Sequence, residues 1–186
     1  MREEINKCID VLRNGGIILY PTDTIWGIGC DANNEDAIKK IIKLKNRPLE
    51  KGIIALVSSE MMLERTVVDI PEIAWDLIES ADKPLTIIYD EVKNISDLLK
   101  ANDKSCAIRL VKSDFCTRLI QKFGKPITST SANISSKKTA NHFEEIDPII
   151  LDGVDYVVNF DRENKTNLNA SNIVKLKKNG VVKVIR

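Results

Sequence analysis

The stretch Gly15-Gly16-Ile17-Ile18-Leu19-Tyr20-Pro21-Thr22-Asp23-Thr24 decides how the fold begins. Ahead of it, residues 3–13 place Ile5, Cys8, Ile9 and Leu12 on one helical face, and the paired glycines stop that helix. The apolar run 17–20 reads as a buried strand, and Pro21-Thr22-Asp23-Thr24 as the turn that leaves it. Open α/β sheets bind their ligands just beyond the ends of such strands. A helix–strand unit therefore starts the fold, with hydroxyls and backbone N–H groups presented at its exit.

The same alternation continues along the chain. Asn33 or Asn34 can cap a helix over 35–45, with Ile38, Ile41, Ile42 and Lys45 on one face, and Pro48 marks its end. Residues 53–57 read as a strand, Ser58 or Ser59 as the cap of a short helix through Met61 and Leu63, and Pro71 as the opening of another. Further strands are expected at 85–89, 106–110, 126–128, 156–158, 173–176 and 181–185, with a helix over 114–123. This is an α/β pattern, a mixed sheet with helices packed on it. No repeat or linker interrupts it, so residues 1–186 read as a single domain; strand order does not follow from the pattern. The Asn-, Asp- and Lys-rich stretch 161–170 reads as a loop near the site.

Composition narrows the function classes. Basic and acidic residues number 28 and 27, a net charge of +1, so no global field draws the chain to nucleic acid. Any RNA contact would be weak and local, at Lys137-Lys138 or Lys175-Lys177-Lys178, and small charge runs are more often solvated faces. Cys8, Cys30, Cys106 and Cys116 form no Cys-x-x-Cys pair and sit in apolar patterns, which suits buried thiols in a reducing compartment. The charged N-terminal segment and the short apolar runs give no sign of a signal peptide or a membrane span, and a cytoplasmic protein is expected. His142 is the sole histidine, which leaves little for a zinc site or a Ser-His triad; a surface helix position is expected for it. There is no Gly-x-x-x-x-Gly-Lys-Ser/Thr loop, so ATP would not be held in the P-loop manner.

Two more segments carry chemistry. Lys45-Asn46-Arg47-Pro48-Leu49-Glu50-Lys51-Gly52 groups three cations that repel one another unless an anion sits among them, although cations at a helix exit also complement its dipole. Ser129-Thr130-Ser131-Ala132-Asn133 supplies a loop of hydroxyl and amide groups after the strand 126–128, although such side chains also cap turns. With Thr22-Asp23-Thr24, these segments read as one divided anion site, since phosphates need donors of this kind. Trp26 reads as packing.

All three segments, in this order, resemble the YrdC family of threonylcarbamoyl-adenylate synthases, from about Gly15 to Arg186. The resemblance implies a YrdC-like twisted mixed sheet flanked by helices. It also implies a reaction in which L-threonine, bicarbonate or carbon dioxide, and ATP give threonylcarbamoyl-adenylate and pyrophosphate. A tRNA threonylcarbamoyl transferase complex would take the product for modification beside the anticodon.

Carried over position by position, Lys45, Arg47 and Lys51 would hold phosphates, the first two as catalytic residues. Ser131 would touch the threonine-derived part. Asn133, Asn141, Ser105 and Arg186 would approach the nucleotide, and Thr24, Arg109 and Ser171 would approach threonine. Magnesium would accompany ATP, with no protein metal site. Leu56 and Gly52 stand where longer relatives carry histidine and proline, which marks the short, single-domain type. Two rivals are weaker. A carbamoyl-adenylate domain of hydrogenase maturation needs acylphosphatase and zinc-finger modules for which the chain has neither length nor cysteines. An RNA-binding module fits poorly with near-zero net charge and 5 % aromatic residues.

Overall fold

Helix α1 (Arg2–Arg13) buries Ile5, Cys8, Ile9 and Leu12, the spacing at which one helical face recurs. The computed structural model describes residues 1–46, 53–135, 137–164 and 170–186. After α1 come β1 (Ile18–Tyr20), β2 (Gly27–Gly29), α2 (Glu35–Leu44), β3 (Ile54–Val57), α3 (Glu60–Thr66) and α4 (Ile73–Ser80). They are followed by β4 (Leu85–Tyr89), β5 (Cys106–Leu110), α5 (Asp114–Phe123), β6 (Ile127–Ser131), α6 (Pro148–Gly153), β7 (Tyr156–Val157), β8 (Asn172–Leu176) and β9 (Val182–Val184). In each expected capping pair the second residue caps: Asn34 accepts from the Ala37 amide at 3.0 Å and Ser59 from that of Met62 at 3.2 Å.

Among the described residues the strands form one sheet in the order β7-β1-β2-β6-β3-β5-β4-β8-β9. The β1–β7, β3–β5 and β4–β8 pairs are parallel and the rest antiparallel, a mixed α/β sheet. Register and the period-2 alternation of strands sort the side chains into two faces. Leu56 lies opposite Arg109, Ile54 opposite Ser129 and Gly27 opposite Ser131, so these residues share one face with Ala107. The other face carries Ala55, Val57, Ile108, Ile28 and Ile87, all 2 % exposed or less. Ile54 and Ala107 are only half-buried. One side of the sheet is thus core, and the other is partly open.

The structure corrects the reading of β6. Residues 129–131 are strand, not loop: Ser129 pairs with Ile54, Thr130 with Ile28 and Ser131 with Gly27. Their hydroxyls resemble a turn in composition, but two neighbouring strands satisfy the backbone, and alternate side chains face the open side. Strand β2 was not expected, because Gly-Ile-Gly is short and glycine weakens strands. Close approach explains it, since a Cβ on Gly29 would lie 2.1 Å from the Thr128 carbonyl oxygen and one on Gly27 2.8 Å from Ser129 Oγ.

Helix α6 was also missed, although Asp147 caps it and Pro148 opens it. Pro71 lies two residues ahead of α4 rather than at its first turn. His142 precedes a 3-10 turn, Phe143–Glu145, instead of lying in a helix. The Pro48 turn with Arg47 and Lys51, and residues 165–169 of the expected loop, lie outside the described residues.

Glu4 joins α1 to β7. It is 8 % exposed and accepts from the Tyr156 hydroxyl and the Asn159 amide at 2.6 Å each, and from Lys7 at 3.2 Å. Burial pushes its carboxyl upward, but the bonds from Tyr156, Asn159 and Lys7 outweigh burial and hold the pKa below its ordinary value. A depressed folded pKa contributes stability that is present above the unfolded value, about 4.3, and is lost as pH falls through the folded one. Glu4→Gln is therefore expected to cost roughly 1 to 3 kcal/mol at pH 7, and progressively less toward pH 3. Thermal melts at the two pH values check this, and equal losses at both would show that the charge plays no part.

Candidate active site

A cavity of about 290 Å³ opens on the partly open face of the sheet, and Thr24, Arg109, Ser131, Ser171 and Arg186 all line it. Five expected contact residues, distant in sequence, therefore meet at one place. Ser129, which stands in the expected hydroxyl loop without an individual contact assigned to it, also lines the cavity, as do Thr139 and Ala170, the last at the end of the expected loop. The i, i+2 alternation of Ser129 with Ser131 would have revealed Ser129 had β6 been read to its end. Trp26 packs, as expected, with its ring 4.9 Å from that of Phe143, and it also lines the cavity.

Arg109 is 2 % exposed. Its Nη2 lies 3.0 Å from Asp23 Oδ1, and its Nη1 donates to Thr24 Oγ1 at 3.3 Å. The Asp23 contact is an ion pair by distance only, for Oδ1 has no aligned hydrogen bond, and Arg109 Nε is buried without an acceptor among the described residues. An unmade buried hydrogen bond costs about 1 to 3 kcal/mol. Thr22 holds the turn that sets this geometry: its Oγ1 accepts from the Thr24 amide at 3.0 Å and donates to the Ile25 carbonyl at 2.7 Å.

The remaining candidates sit elsewhere. Lys45 is 1 % exposed, and its ammonium donates to the backbone carbonyls of Ser131 and Asn133. Asn133 lines an adjoining cavity of about 320 Å³ together with Lys137, Lys138 and Glu144. The Asn141 amide donates to Glu145 Oε2 at 2.9 Å. Ser105 donates to Asp103 Oδ1 at 2.5 Å, and Asp103 pairs with Lys175 at 2.7 Å, which together hold its carboxyl far below the usual range. None of these four lines the 290 Å³ cavity. Ser171 Oγ shares a 2.8 Å bond with Thr86 Oγ1, while Arg186 donates from Nε and Nη2 to the Ser171 carbonyl at 3.3 and 3.0 Å.

Burial pushes the thiols of Cys8, Cys30, Cys106 and Cys116 up to about 12, so none is a thiolate at neutral pH. Among the described residues the cavity lining includes no Asp or Glu side chain, and there is no group of three or more His, Cys, Asp or Glu placed to hold a metal. Of the lysines in the two short basic runs, Lys137, Lys175 and Lys178 each face a carboxylate at 2.7 Å. No helix among the described residues is long and apolar enough to cross a membrane.

The mixed sheet, with helices packed on it and a polar cavity holding a buried arginine on its partly open face, defines an α/β protein with a ligand-sized site. The Sua5/YciO/YrdC family model, described as "Telomere recombination", matches residues 10–186, and the chain belongs to that family. A protein of Pseudoalteromonas translucida named threonylcarbamoyl-AMP synthase is 33 % identical over 157 residues, covering 83 % of this chain and 84 % of that one. One of the same name from Photobacterium profundum is 35 % identical over 136 residues, covering 72 % and 74 %. The crystal structure of P. abyssi Sua5 complexed with L-threonine superposes with a TM-score of 0.83 at 25 % identity. It aligns with 92 % of this chain, which spans about half the length of the Sua5 chain, 50 %.

Proposed function

We propose that the chain is a threonylcarbamoyl-AMP synthase and that the 290 Å³ cavity is its threonine site. The buried Arg109, with an Nε–H that lacks an acceptor among the described residues, carries this reading. A ligand carboxylate is its natural partner, because the guanidinium fork matches a carboxylate geometrically. Thr24, Ser131 and Ser171 would meet the amine and the side-chain hydroxyl. The cavity lies near the lower end of ligand-pocket sizes, so the nucleotide would extend beyond it past Asn133 toward Asn141. Arg47 and Lys51 would neutralise the phosphates, with Ser105 and Arg186 on the nucleotide side.

In the proposed reaction the threonine amine and bicarbonate condense to a carbamate and water. A carbamate oxygen then attacks the α-phosphorus; the new P–O bond forms as the bond to the β-phosphate bridge breaks, and pyrophosphate leaves. Magnesium carried by the polyphosphate would share its negative charge, since the described cavity lining offers no Asp or Glu side chain to hold a metal. Gathering three anionic species calls for positioning and charge neutralisation more than for proton transfer, and the cation- and hydroxyl-rich surroundings fit that demand. Residues 1–186 would act as one unit in the cytoplasm and pass the product to a tRNA threonylcarbamoyl transferase.

Pyrophosphate release from ATP, measured with threonine and bicarbonate each omitted in turn, tests the proposal. Release is expected to fall to background in both cases, because the attacking carbamate needs both. Undiminished release without threonine would overturn the assignment.

A further inference from the structure

Lys45 stands at the C-terminal end of α2, where the side chain of such a residue ordinarily reaches solvent. Here it is 1 % exposed, and its ammonium donates to the carbonyl oxygens of both Ser131 and Asn133, the second at 2.5 Å. The main chain of Lys45 also takes part, because its carbonyl accepts from the Ser135 amide at 2.9 Å. Residues 131–135 are thus fastened to the end of α2 at three points. Taking an ammonium out of water is costly, so the carbonyls are structural partners that this lysine requires.

The fastened segment is the one whose geometry the site needs. Ser131 ends β6 opposite Gly27, and the Ala132 amide still donates to the Trp26 carbonyl at 3.0 Å. Beyond Ala132 the chain leaves the sheet: the Asn133 amide turns back to the Ser131 carbonyl at 2.9 Å, and Ser131 Oγ donates to Asn133 Oδ1 at 2.5 Å. Ser131 lines the 290 Å³ cavity and Asn133 the adjoining one, whereas Lys45 lines neither.

We infer that Lys45 is a positioning residue: its ammonium clamps the carbonyls of Ser131 and Asn133 and so aims the serine into the threonine cavity and the asparagine toward the nucleotide. This rests on the threonine-site reading above and gives Lys45 a role distinct from phosphate binding. A phosphate-binding lysine would act on ATP and leave the binding of threonine alone untouched. A clamp acts on threonine even when no nucleotide is present.

The test uses Lys45→Met, which keeps the volume and loses the charge. L-threonine is titrated by calorimetry without nucleotide, ATP is titrated separately, and amide hydrogen exchange is followed at Ala132, Asn133 and Ser135. Threonine affinity is expected to fall about 10-fold, with faster exchange at those three amides. Unchanged threonine affinity and unchanged exchange with weakened ATP binding would overturn the proposal and make Lys45 a phosphate ligand. If Lys45→Met shows no cooperative melt, Lys45→Arg is judged by the same criteria, because arginine keeps the charge but cannot place one nitrogen between the two carbonyls. Should wild-type protein itself fail to bind threonine, the functional reading falls, and the exchange rates alone decide whether Lys45 is the clamp.

Discussion

Arg109→Lys is expected to raise KM for threonine by roughly 10- to 150-fold, the worth of a charge-assisted bond of about 1.5 to 3 kcal/mol. Lysine keeps the charge but not the fork, and Arg109 spends its Nη groups on Asp23 and Thr24 while Nε has no acceptor among the described residues. A single ammonium cannot face Asp23, Thr24 and a substrate carboxylate together. Alanine at this position is a harsher change, because it strands the Asp23 carboxylate, 12 % exposed, and breaking a buried pair costs about 3 to 5 kcal/mol. The lysine variant therefore separates binding from folding. Steady-state kinetics at saturating ATP, with a melting curve beside them, check the prediction; a threonine KM within two-fold of wild type would remove Arg109 from the threonine site.

Arg47→Ala is expected to lose roughly 10- to 150-fold in kcat/KM for ATP, and Arg47→Lys a substantial part of that. Arg47 lies outside the described residues, and its sequence context carries the expectation. Lys45, Arg47 and Lys51 crowd positive charge beside Pro48. In the structure Lys45 is engaged by backbone carbonyls, so the phosphate-facing role proposed for this motif would fall to Arg47 and Lys51. Wild-type kinetics in a folded Arg47→Ala protein would remove Arg47 from the site.

The sequence and the resemblance it carries point to five residues that the fold brings to one cavity. Thr24 and Ser131 stand in the quoted motifs, Arg109, Ser171 and Arg186 follow from the family resemblance, and all five line one cavity. Ser129 and Asp23 stand in the same motifs but carry no individual contact in that reading, for different reasons. Ser129 was hidden by a strand ended three residues early, where hydroxyls resembled a turn. Asp23 reads as a turn residue until the fold brings Arg109, remote in the chain, to within 3.0 Å of it.

The sequence by itself determined the type and approximate bounds of most elements, because helical periodicity, capping by Asn33 or Asn34 and by Ser58 or Ser59, and apolar strand runs act over a few neighbouring residues. It also determined the motifs, which are runs of adjacent residues. Only the tertiary structure decided that β2 exists, that β6 continues through Ser131, and that Leu56 lies beside Arg109 on the open face. Strand pairing, close glycine contact and burial depend on partners remote in the chain, and no local pattern encodes them. Lys45 shows the difference most clearly: its motif announces a cation, but whether that charge faces a phosphate or two carbonyls of residues 131 and 133 depends on which segment packs against the end of α2.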